Sequence, residues 1–278
     1  MKVLRPENIT EAIALQKECG ADYIAGGTFS MVEVNSGRYS PEHLIDLSLC
    51  EELYGIKEKD DCVEIGALTT FTDIENSELL NGFFPALTKS AAEVGGPQVR
   101  NRGTIGGNIC AASPAADAVP PLMALNAVAV VVGTEGERTL ALSDMFLAPK
   151  KTCLKKDEIL TLIRIPKSSA KSDFIKIGKR NALAVSCANM AVALCAEQGS
   201  IKDICIAVGS CAPTPRLCSK TAASLLGDYS AEKLAAAKEI LMTEISPIDD
   251  RWATAEYRRL VVANMLENLV ETLLKEGN

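Results

Sequence analysis

The stretch GPQVRNRGTIGGNI, residues 96–109, contains the pair Gly106-Gly107 just after Thr104. A second pair lies in Ala25-Gly26-Gly27-Thr28, at the end of a predicted strand. Glycine lets a backbone turn tightly and approach a ligand closely, so successive N–H groups can converge on phosphate oxygens. One such loop is commonly a simple turn, whereas two loops fit a diphosphate held from both sides. Neither is a Walker A loop or a Gly-x-Gly-x-x-Gly fingerprint, so the predicted phosphate site lies outside the two commonest nucleotide-binding folds.

The bulk properties indicate a globular protein of two domains. The chain has 278 residues, of which 47% are hydrophobic and 23% charged. Its apolar runs are far shorter than the roughly 20 residues of a membrane-spanning helix, and no signal peptide is evident. A net charge of −7 without a large basic cluster argues against nucleic acid as a partner. We therefore expect a soluble, cytoplasmic protein with no membrane or nucleic-acid partner.

The ten cysteines contain no Cys-x-x-Cys pair. Disulfides are rare in the cytosol, and free cysteine behaves as a small buried hydrophobe. We therefore predict that most of them pack in the core, and we assign no metal ligand. Cys110 is the one cysteine close to a glycine loop, and for it too we favour a packing role over contact with a cofactor.

Patterning divides the chain at a polar linker, Lys167–Ser172, into predicted domains 1–168 and 173–278, the first with subdomains of about 1–55 and 56–168. Alternating apolar runs predict strands, and 3.6-residue spacing or a capping pattern predicts helices. The predicted strands are Tyr23–Ala25, His43–Leu47, Cys62–Ala67, Ala127–Val132, Glu158–Ile165 and a hairpin of Asn189–Ala196 with Ile201–Val208. The predicted helices are Thr10–Cys19, Phe84–Val94, Pro120–Asn126, Thr214–Leu226, Ala231–Glu244 and Trp252–Lys275. A further helix is predicted to start near Thr72, with Thr72 and Glu75 as a capping box. Asp249-Asp250-Arg251 is predicted to cap the last helix.

The segment Gly96–Ile109, followed by Ser113-Pro114-Ala115-Ala116-Asp117, resembles the flavin-binding signature of the molybdenum hydroxylases, which include xanthine, carbon monoxide and nicotinate dehydrogenases. Ala25–Thr28 with the strand Leu44–Leu47 is similar to the first loop of that family. The resemblance covers nearly the whole chain. It implies an α+β fold, with a two-subdomain FAD-binding domain of the vanillyl-alcohol-oxidase/PCMH type and a small α/β C-terminal flavoprotein domain.

The resemblance implies non-covalent FAD and a set of binding residues. Two segments would wrap the diphosphate, mostly through backbone amides. Asp117 would lie near the adenosine half, and Leu160 and Lys176 would touch the flavin end, where a lysine stabilises negative charge on reduced flavin. The full set is Ile24, Ala25, Gly26, Gly27, Thr28, Phe29, Ser30, Thr104, Ile105, Gly106, Gly107, Asn108, Asp117, Leu160 and Lys176.

Three positions depart from the family pattern or bear on whether the flavin is covalently attached to the chain. Phe29 stands where relatives often carry Asp or Glu, and Val94 matches an aromatic residue that stacks on the flavin in animal relatives. His43, the sole histidine, lies outside both loops, so no histidyl tether is expected. Arg100 and Arg102 flank the second loop, and we interpret them as solvated surface charges rather than phosphate ligands.

As a functional hypothesis, the chain is the FAD subunit of a molybdenum hydroxylase. The resemblance implies a large molybdopterin subunit, a small subunit with two [2Fe-2S] clusters, and NAD+ as an acceptor. Xanthine or another purine is the first choice of substrate, with carbon monoxide, nicotinate and aldehydes left open, and no residue of this chain is expected to be catalytic. Two alternatives remain open: a self-sufficient flavin oxidase or reductase, and a non-catalytic nucleotide-binding subunit.

Overall fold

The computed structural model describes residues 1–180 and 183–276, which form four β-sheets. The first is a parallel sheet in the order β1-β3-β2. It and its two helices comprise β1 (Lys2–Leu4), α1 (Ile9–Cys19), β2 (Asp22–Ile24), α2 (Ser30–Asn35) and β3 (His43–Asp46). Helix α1 begins where the Asn8 side chain accepts from the Glu11 N–H, and it ends at Gly20, whose φ is 65°. The predicted helix and both predicted strands of this unit are confirmed.

The second sheet is antiparallel throughout, in the order β4-β5-β10-β6-β7. Its strands are β4 (Ile56–Glu58), β5 (Cys62–Gly66), β6 (Val128–Gly133), β7 (Gly136–Ala141) and β10 (Ile159–Pro166), and a small hairpin of β8 (Phe146–Ala148) and β9 (Lys151–Thr152) lies beside them. The predictions for β5, β6 and β10 are confirmed. The wholly apolar run in β6 fits a strand whose middle is buried on both faces.

Six short helices connect β5 to β6. They are α3 (Phe71–Glu75), α4 (Glu78–Phe83), α5 (Pro85–Ala92), α6 (Pro97–Arg100), α7 (Ile105–Cys110) and α8 (Val119–Ala124). Three 3-10 turns occur elsewhere, at Leu47–Leu49, Glu51–Leu53 and Leu142–Met145. The predicted helices at α5 and α8 are confirmed.

The predicted capping box of Thr72 and Glu75 is wrong. Helix α3 is capped two residues earlier by Thr70, whose hydroxyl accepts from the Asp73 N–H while the Asp73 carboxylate accepts from Thr70. Thr70 is extended because it forms a β-bridge with Thr104. That distant pairing fixes where the helix starts, and local spacing does not reveal it.

The third sheet has the order β11-β12-β13-β14, and β15 also pairs with β13. Its strands are β11 (Lys171–Gly178), β12 (Ser186–Glu197), β13 (Ser200–Gly209), β14 (Arg216–Leu217) and β15 (Gly227–Asp228), and its helices are α9 (Ser219–Leu225), α10 (Ala231–Glu244) and α11 (Ala255–Glu276). The predicted hairpin of β12 and β13 is confirmed. Its connecting residues Gln198 and Gly199 both have positive φ, 50° and 77°, as a type I′ turn requires.

Two C-terminal helices begin later than predicted. Thr214 precedes Pro215, which disfavours helical backbone at Thr214, and Arg216–Leu217 pairs with β13, so α9 starts only at Ser219. Helix α11 starts at Ala255 rather than Trp252. The N-cap of α11 is Thr254, whose hydroxyl accepts from the Tyr257 N–H at 3.1 Å, rather than the predicted Asp249–Arg251 segment, although Asp249 accepts from the Ala255 N–H at 2.6 Å.

Strand β12 is covered on both faces. Met190, Val192 and Leu194 pack with α9, α10 and α11, whereas Ala191 and Ala193 belong to the core beneath the second sheet. The smaller side chains on that second face let the helices between β5 and β6 approach the third sheet closely. The C-terminal sheet is thus one wall of the core of the preceding domain.

Within residues 1–180 and 183–276, no helix is long and apolar enough to cross a lipid bilayer. In the same part of the chain, no group of three or more His, Cys, Asp or Glu side chains is placed to hold a metal ion. All ten cysteines are free, and five of them are buried: Cys50, Cys62, Cys187, Cys211 and Cys218.

An ion pair between the partly exposed Arg138 and the buried Glu158 yields a stability prediction. The Arg138 guanidinium donates to both Glu158 oxygens at 2.7 and 2.8 Å, and the Lys155 N–H also donates to this carboxylate. These bonds, with Arg138 the largest cause, lower the pKa of Glu158. The stabilisation is therefore present above the ordinary carboxyl pKa and is lost as the pH falls through the lowered one.

We expect Glu158→Gln to lower the free energy of unfolding at pH 7 by about 1–3 kcal/mol, the value of a hydrogen bond to a charged group. The difference from the unsubstituted chain should shrink as the pH falls below about 4. Urea unfolding at several pH values measures both effects. The control is Glu135→Gln, since Glu135 pairs with Lys155 on the surface and should contribute less than about 1 kcal/mol. Equal losses in the two variants would contradict the prediction.

Candidate cofactor-binding site

The first glycine loop joins β2 to α2 and leaves its backbone donors open. Gly27 has a φ of 74°, a left-handed conformation that glycine adopts without strain. The N–H groups of residues 26–29 donate to no backbone or side-chain acceptor in the described chain. A run of unpaired N–H groups around a left-handed turn forms an anion-binding nest. This loop can therefore receive a phosphate.

The second glycine loop has a different construction. Thr104 caps α7, because its hydroxyl accepts from the Gly107 N–H at 3.0 Å. The N–H groups of Ile105, Gly106 and Asn108 donate to the carbonyls of Thr69, Ala67 and Thr104 at 2.8–3.0 Å. Four of the five backbone amides of Thr104–Asn108 are therefore engaged within the protein, and binding through the backbone of this segment stays a prediction.

The second loop contributes space, because its two glycines have no side chains. A Cβ at Gly106 would lie 2.7 Å from the Ala67 side chain, so glycine there lets α7 pack against the residues after β5. A Cβ at Gly107 would meet only the Thr104 hydroxyl, at 2.9 Å, and Ala25, at 4.0 Å. Gly107 thus leaves space on the side facing the first loop.

The two loops touch each other directly. A Cβ on Gly26 would overlap the carbonyl of Arg102, which lies just before the second loop. The Thr28 hydroxyl also lies near Gly103, 3.4 Å from where a Cβ would be. Between and beside the loops is a cleft of about 640 Å³, within the range of small-molecule sites.

Twelve of the fifteen predicted residues line this one cleft. They are Ile24, Ala25, Gly26, Gly27, Thr28, Phe29, Ser30, Thr104, Gly106, Gly107, Asn108 and Leu160. Ile105 is fully buried in the core behind the loop. Asp117 and Lys176 do not line the cleft, although Ala116 and Val94, which are next in sequence to Asp117 and Glu93, do.

Asp117 and Lys176 form a buried ion pair. The Lys176 ammonium donates to Asp117 Oδ2 and to the Glu93 carbonyl, both at 2.7 Å. The interpretation that placed Asp117 at the adenosine half and Lys176 at the flavin end is therefore wrong for one of them, because groups this close cannot serve opposite ends of a dinucleotide. Since Val94 and Ala116 line the cleft, the pair lies directly behind that part of its wall.

Part of the cleft lining was not predicted from the sequence. The hairpin of β8 and β9 and the segment after it contribute Lys150, Thr152, Leu154, Lys155, Lys156, Glu158 and Ile159 to the cleft. Lys150 has a φ of 61°, and its ammonium lies 5.4 Å from the centre of the Phe29 ring and 3.6 Å from Glu33. The signal in the sequence was the two lysine pairs Lys150-Lys151 and Lys155-Lys156, which are too small for a polyanion.

Side chains on the cleft wall suit binding better than acid–base chemistry. Glu158 is held by Arg138, and burial beside Asp157 raises the pKa of Tyr23, so the phenol stays neutral. Asn108 presents a buried Oδ1 that has no hydrogen-bond partner in the described chain. Together with the open amides of the first loop, this orphaned acceptor fits a polar cofactor that lies in the cleft. Cys110 also lines the cleft and is exposed there rather than packed in the core.

Comparison with known proteins agrees with this geometry. Residues 1–168 match the family described as the FAD binding domain in molybdopterin dehydrogenase, and residues 173–273 match the CO dehydrogenase flavoprotein C-terminal domain. The nicotinate dehydrogenase FAD-subunit of Eubacterium barkeri is 38% identical over 189 residues, 65% of this chain and 64% of that one. The putative xanthine dehydrogenase FAD-binding subunit of Escherichia coli (strain K12) is 28% identical over 90% of this chain and 87% of its own length.

A solved structure shares the fold throughout. A chain of carbon monoxide dehydrogenase from Hydrogenophaga pseudoflava superposes with a TM-score of 0.95 at 31% identity, over 98% of this chain and 96% of that one. The predicted family resemblance, the predicted α+β fold class and FAD as the predicted cofactor are thereby confirmed. The chain belongs to the family of FAD-binding subunits of molybdopterin-dependent dehydrogenases.

Proposed function

We propose that this chain binds FAD in the cleft between its two glycine loops and serves as the electron-exit subunit of a molybdenum hydroxylase. A small partner subunit with two [2Fe-2S] clusters would deliver electrons from a large molybdopterin subunit, and NAD+ would receive them. The observation that carries the proposal is the convergence of twelve predicted residues on one cleft in a chain of this family.

The geometry supports a division of labour among the predicted residues. The open amides of the first loop would hold the diphosphate, and Gly107 would let it approach α7 closely. Asn108 would donate to or accept from the cofactor with its side-chain amide. Leu160 would pack on it, and the Asp117–Lys176 pair would lie behind the flavin end rather than at the adenosine.

When FAD is bound, it supplies the electron-transfer chemistry by accepting and releasing two electrons. The chain's own residues then bind, orient and electrostatically tune the cofactor. No side chain of the cleft is needed as a general acid or base. This accounts for a wall built of small and aliphatic residues with its one buried carboxylate, Glu158, held by Arg138.

The substrate would be hydroxylated on the large partner, away from this chain. We assign a purine such as xanthine first, on the overall likeness of residues 96–109 to the xanthine dehydrogenases. Nicotinate is a second candidate, because the nicotinate dehydrogenase subunit has 38% identity over 65% of the chain. Co-purification with the two partners decides between them by direct assay.

Substitution of Gly107 tests the placement of the cofactor. We expect Gly107→Val to weaken FAD binding at least about 100-fold, equivalent to ~2.7 kcal/mol, because the new side chain would occupy the space of the diphosphate. Isothermal titration of the flavin-free chain with FAD measures the affinity, and thermal unfolding reports on the fold.

The matched control is Gly82→Val. A Cβ at Gly82 meets no atom within 4 Å, so the same side chain is added in open space and FAD affinity should stay within about twofold. Normal FAD content in Gly107→Val would refute the assignment of the second loop. A wild-type chain that refuses FAD altogether would favour the non-catalytic alternative.

Assay of the assembled complex tests the electron route. We expect the isolated chain to turn over no substrate, and the complex with both partners to reduce NAD+ when it is given xanthine or hypoxanthine. Replacing NAD+ with an artificial dye controls for the acceptor, and nicotinate and carbon monoxide control for the substrate. Turnover of a small substrate by the isolated FAD-loaded chain would instead establish a self-sufficient flavoenzyme.

A further inference from the structure

A buried polar network surrounds the Asp117–Lys176 pair, and most of it belongs to the C-terminal sheet. Asp117 Oδ1 accepts from the Ser186 hydroxyl and from Asn189 Nδ2, the latter at 2.8 Å. Lys176 and Asn189 are register partners on β11 and β12, so their side chains project from the same face of the sheet. The exposed fraction is 2% for Ser186 and zero for Asn189. Asp117 is thus held by three side-chain donors away from bulk water.

The orientation of Asn189 carries a cost in stability. Its Nδ2 donates to Asp117 and, at 3.3 Å, to Ser186, whereas its Oδ1 is buried without any partner in the described chain. A buried, unsatisfied acceptor destabilises the folded state. The opposite orientation would place Oδ1 against the carboxylate. A Cβ at residue 209 would overlap Oδ1, so glycine at that position leaves room for the Asn189 side-chain amide.

The network continues into the C-terminal helices. The Ser210 hydroxyl donates to the Ser186 carbonyl at 2.9 Å, and the Ser210 N–H donates to the Pro114 carbonyl at 2.7 Å. Arg258 on α11 donates to the Ser210 carbonyl at 2.6 Å. The residues before α8, which carry Asp117, are therefore tied to the third sheet and to α11 at a single place.

The Lys176 ammonium has three N–H donors, and two of them reach Asp117 and the Glu93 carbonyl. The third has no acceptor among the residues that the structure describes. Val94 and Ala116, which line the cleft, are the sequence neighbours of Glu93 and Asp117, so the ion pair lies next to the backbone of that wall. In a low-dielectric surrounding, a charge at such short range has a strong effect.

We propose that Ser186 and Asn189 are positioning residues that hold Asp117, and through it the Lys176 ammonium, and thereby set the redox potential of the bound flavin. The inference rests on the proposed function, because it requires the flavin ring to lie at the Val94 and Ala116 end of the cleft. Loss of either donor lets the carboxylate and its ammonium shift, which weakens stabilisation of the negative charge on reduced flavin.

Spectroelectrochemical titration of the FAD-loaded full chain tests this inference. We expect Lys176→Met to disfavour the reduced form about tenfold, which is a shift of about −30 mV for a two-electron couple. Ser186→Ala and Asn189→Ala should shift the potential in the same direction by a smaller amount. In the Lys176→Met background, Ser186→Ala should produce less than half of the shift that it produces when Lys176 is present.

Ser90→Ala is the matched control. Ser90 is fully buried, and its hydroxyl donates only to the Leu87 carbonyl, so the variant removes a buried hydrogen bond without touching the network. Its potential should equal that of the wild type even if its stability falls. Ser186→Thr keeps the hydroxyl, so its redox potential should lie closer to that of the wild type than to that of Ser186→Ala.

The outcomes separate the two proposals. If FAD binds normally and Ser186→Ala leaves the potential unchanged, or shifts it equally with and without Lys176, the inference is overturned and the proposed function stands. If the wild-type chain takes up no FAD, both are overturned. If Asn189→Ala does not fold, the Ser186 comparison still decides the question.

Discussion

The close contact between Gly26 and the Arg102 carbonyl is the constraint on which the site depends. Any side chain at residue 26 would overlap that carbonyl, so the two loops could not lie against each other. The contact joins the parallel unit of β1–β3 to the segment that leads into α7. It brings the open amides of one loop opposite the capped helix of the other. The cleft exists because the backbones of the two loops contact each other here with no side chain at residue 26 between them.

Much of the site was predictable from the sequence because glycine acts locally. The freedom of Gly27 to adopt a left-handed φ, and the absence of a Cβ at Gly106 and Gly107, depend on only a few neighbouring residues. The same holds for strands with strong alternation and for the Gln198-Gly199 turn. How each loop would bind a ligand was harder to predict from the sequence. Whether an amide is open or engaged depends on distant carbonyls, such as those of Thr69 and Ala67.

The features that the sequence did not reveal all require long-range pairing. Thr70 caps α3 because it bridges to Thr104, and Arg216–Leu217 is a strand because it pairs with β13. The Asp117–Lys176 pair joins residues 59 positions apart. The family resemblance predicted both Asp117 and Lys176 as binding residues, but it could not show that one hydrogen bond joins them. Their separate assignment to opposite ends of the cofactor was the result.

The distribution of charge links the C-terminal sheet to the cleft, although no described residue of that sheet lines it. The chain carries a net charge of −7, yet cations lie at the cleft: Lys150, Lys155 and Lys156 on one rim and Lys176 behind the opposite wall. The rim lysines are solvated and are screened by salt. Lys176 is buried, and it comes from β11 with its partners on β12. The position of the Lys176–Asp117 ion pair beside that wall therefore depends on the packing of the third sheet, and the charge of the ammonium is balanced by the carboxylate 2.7 Å away.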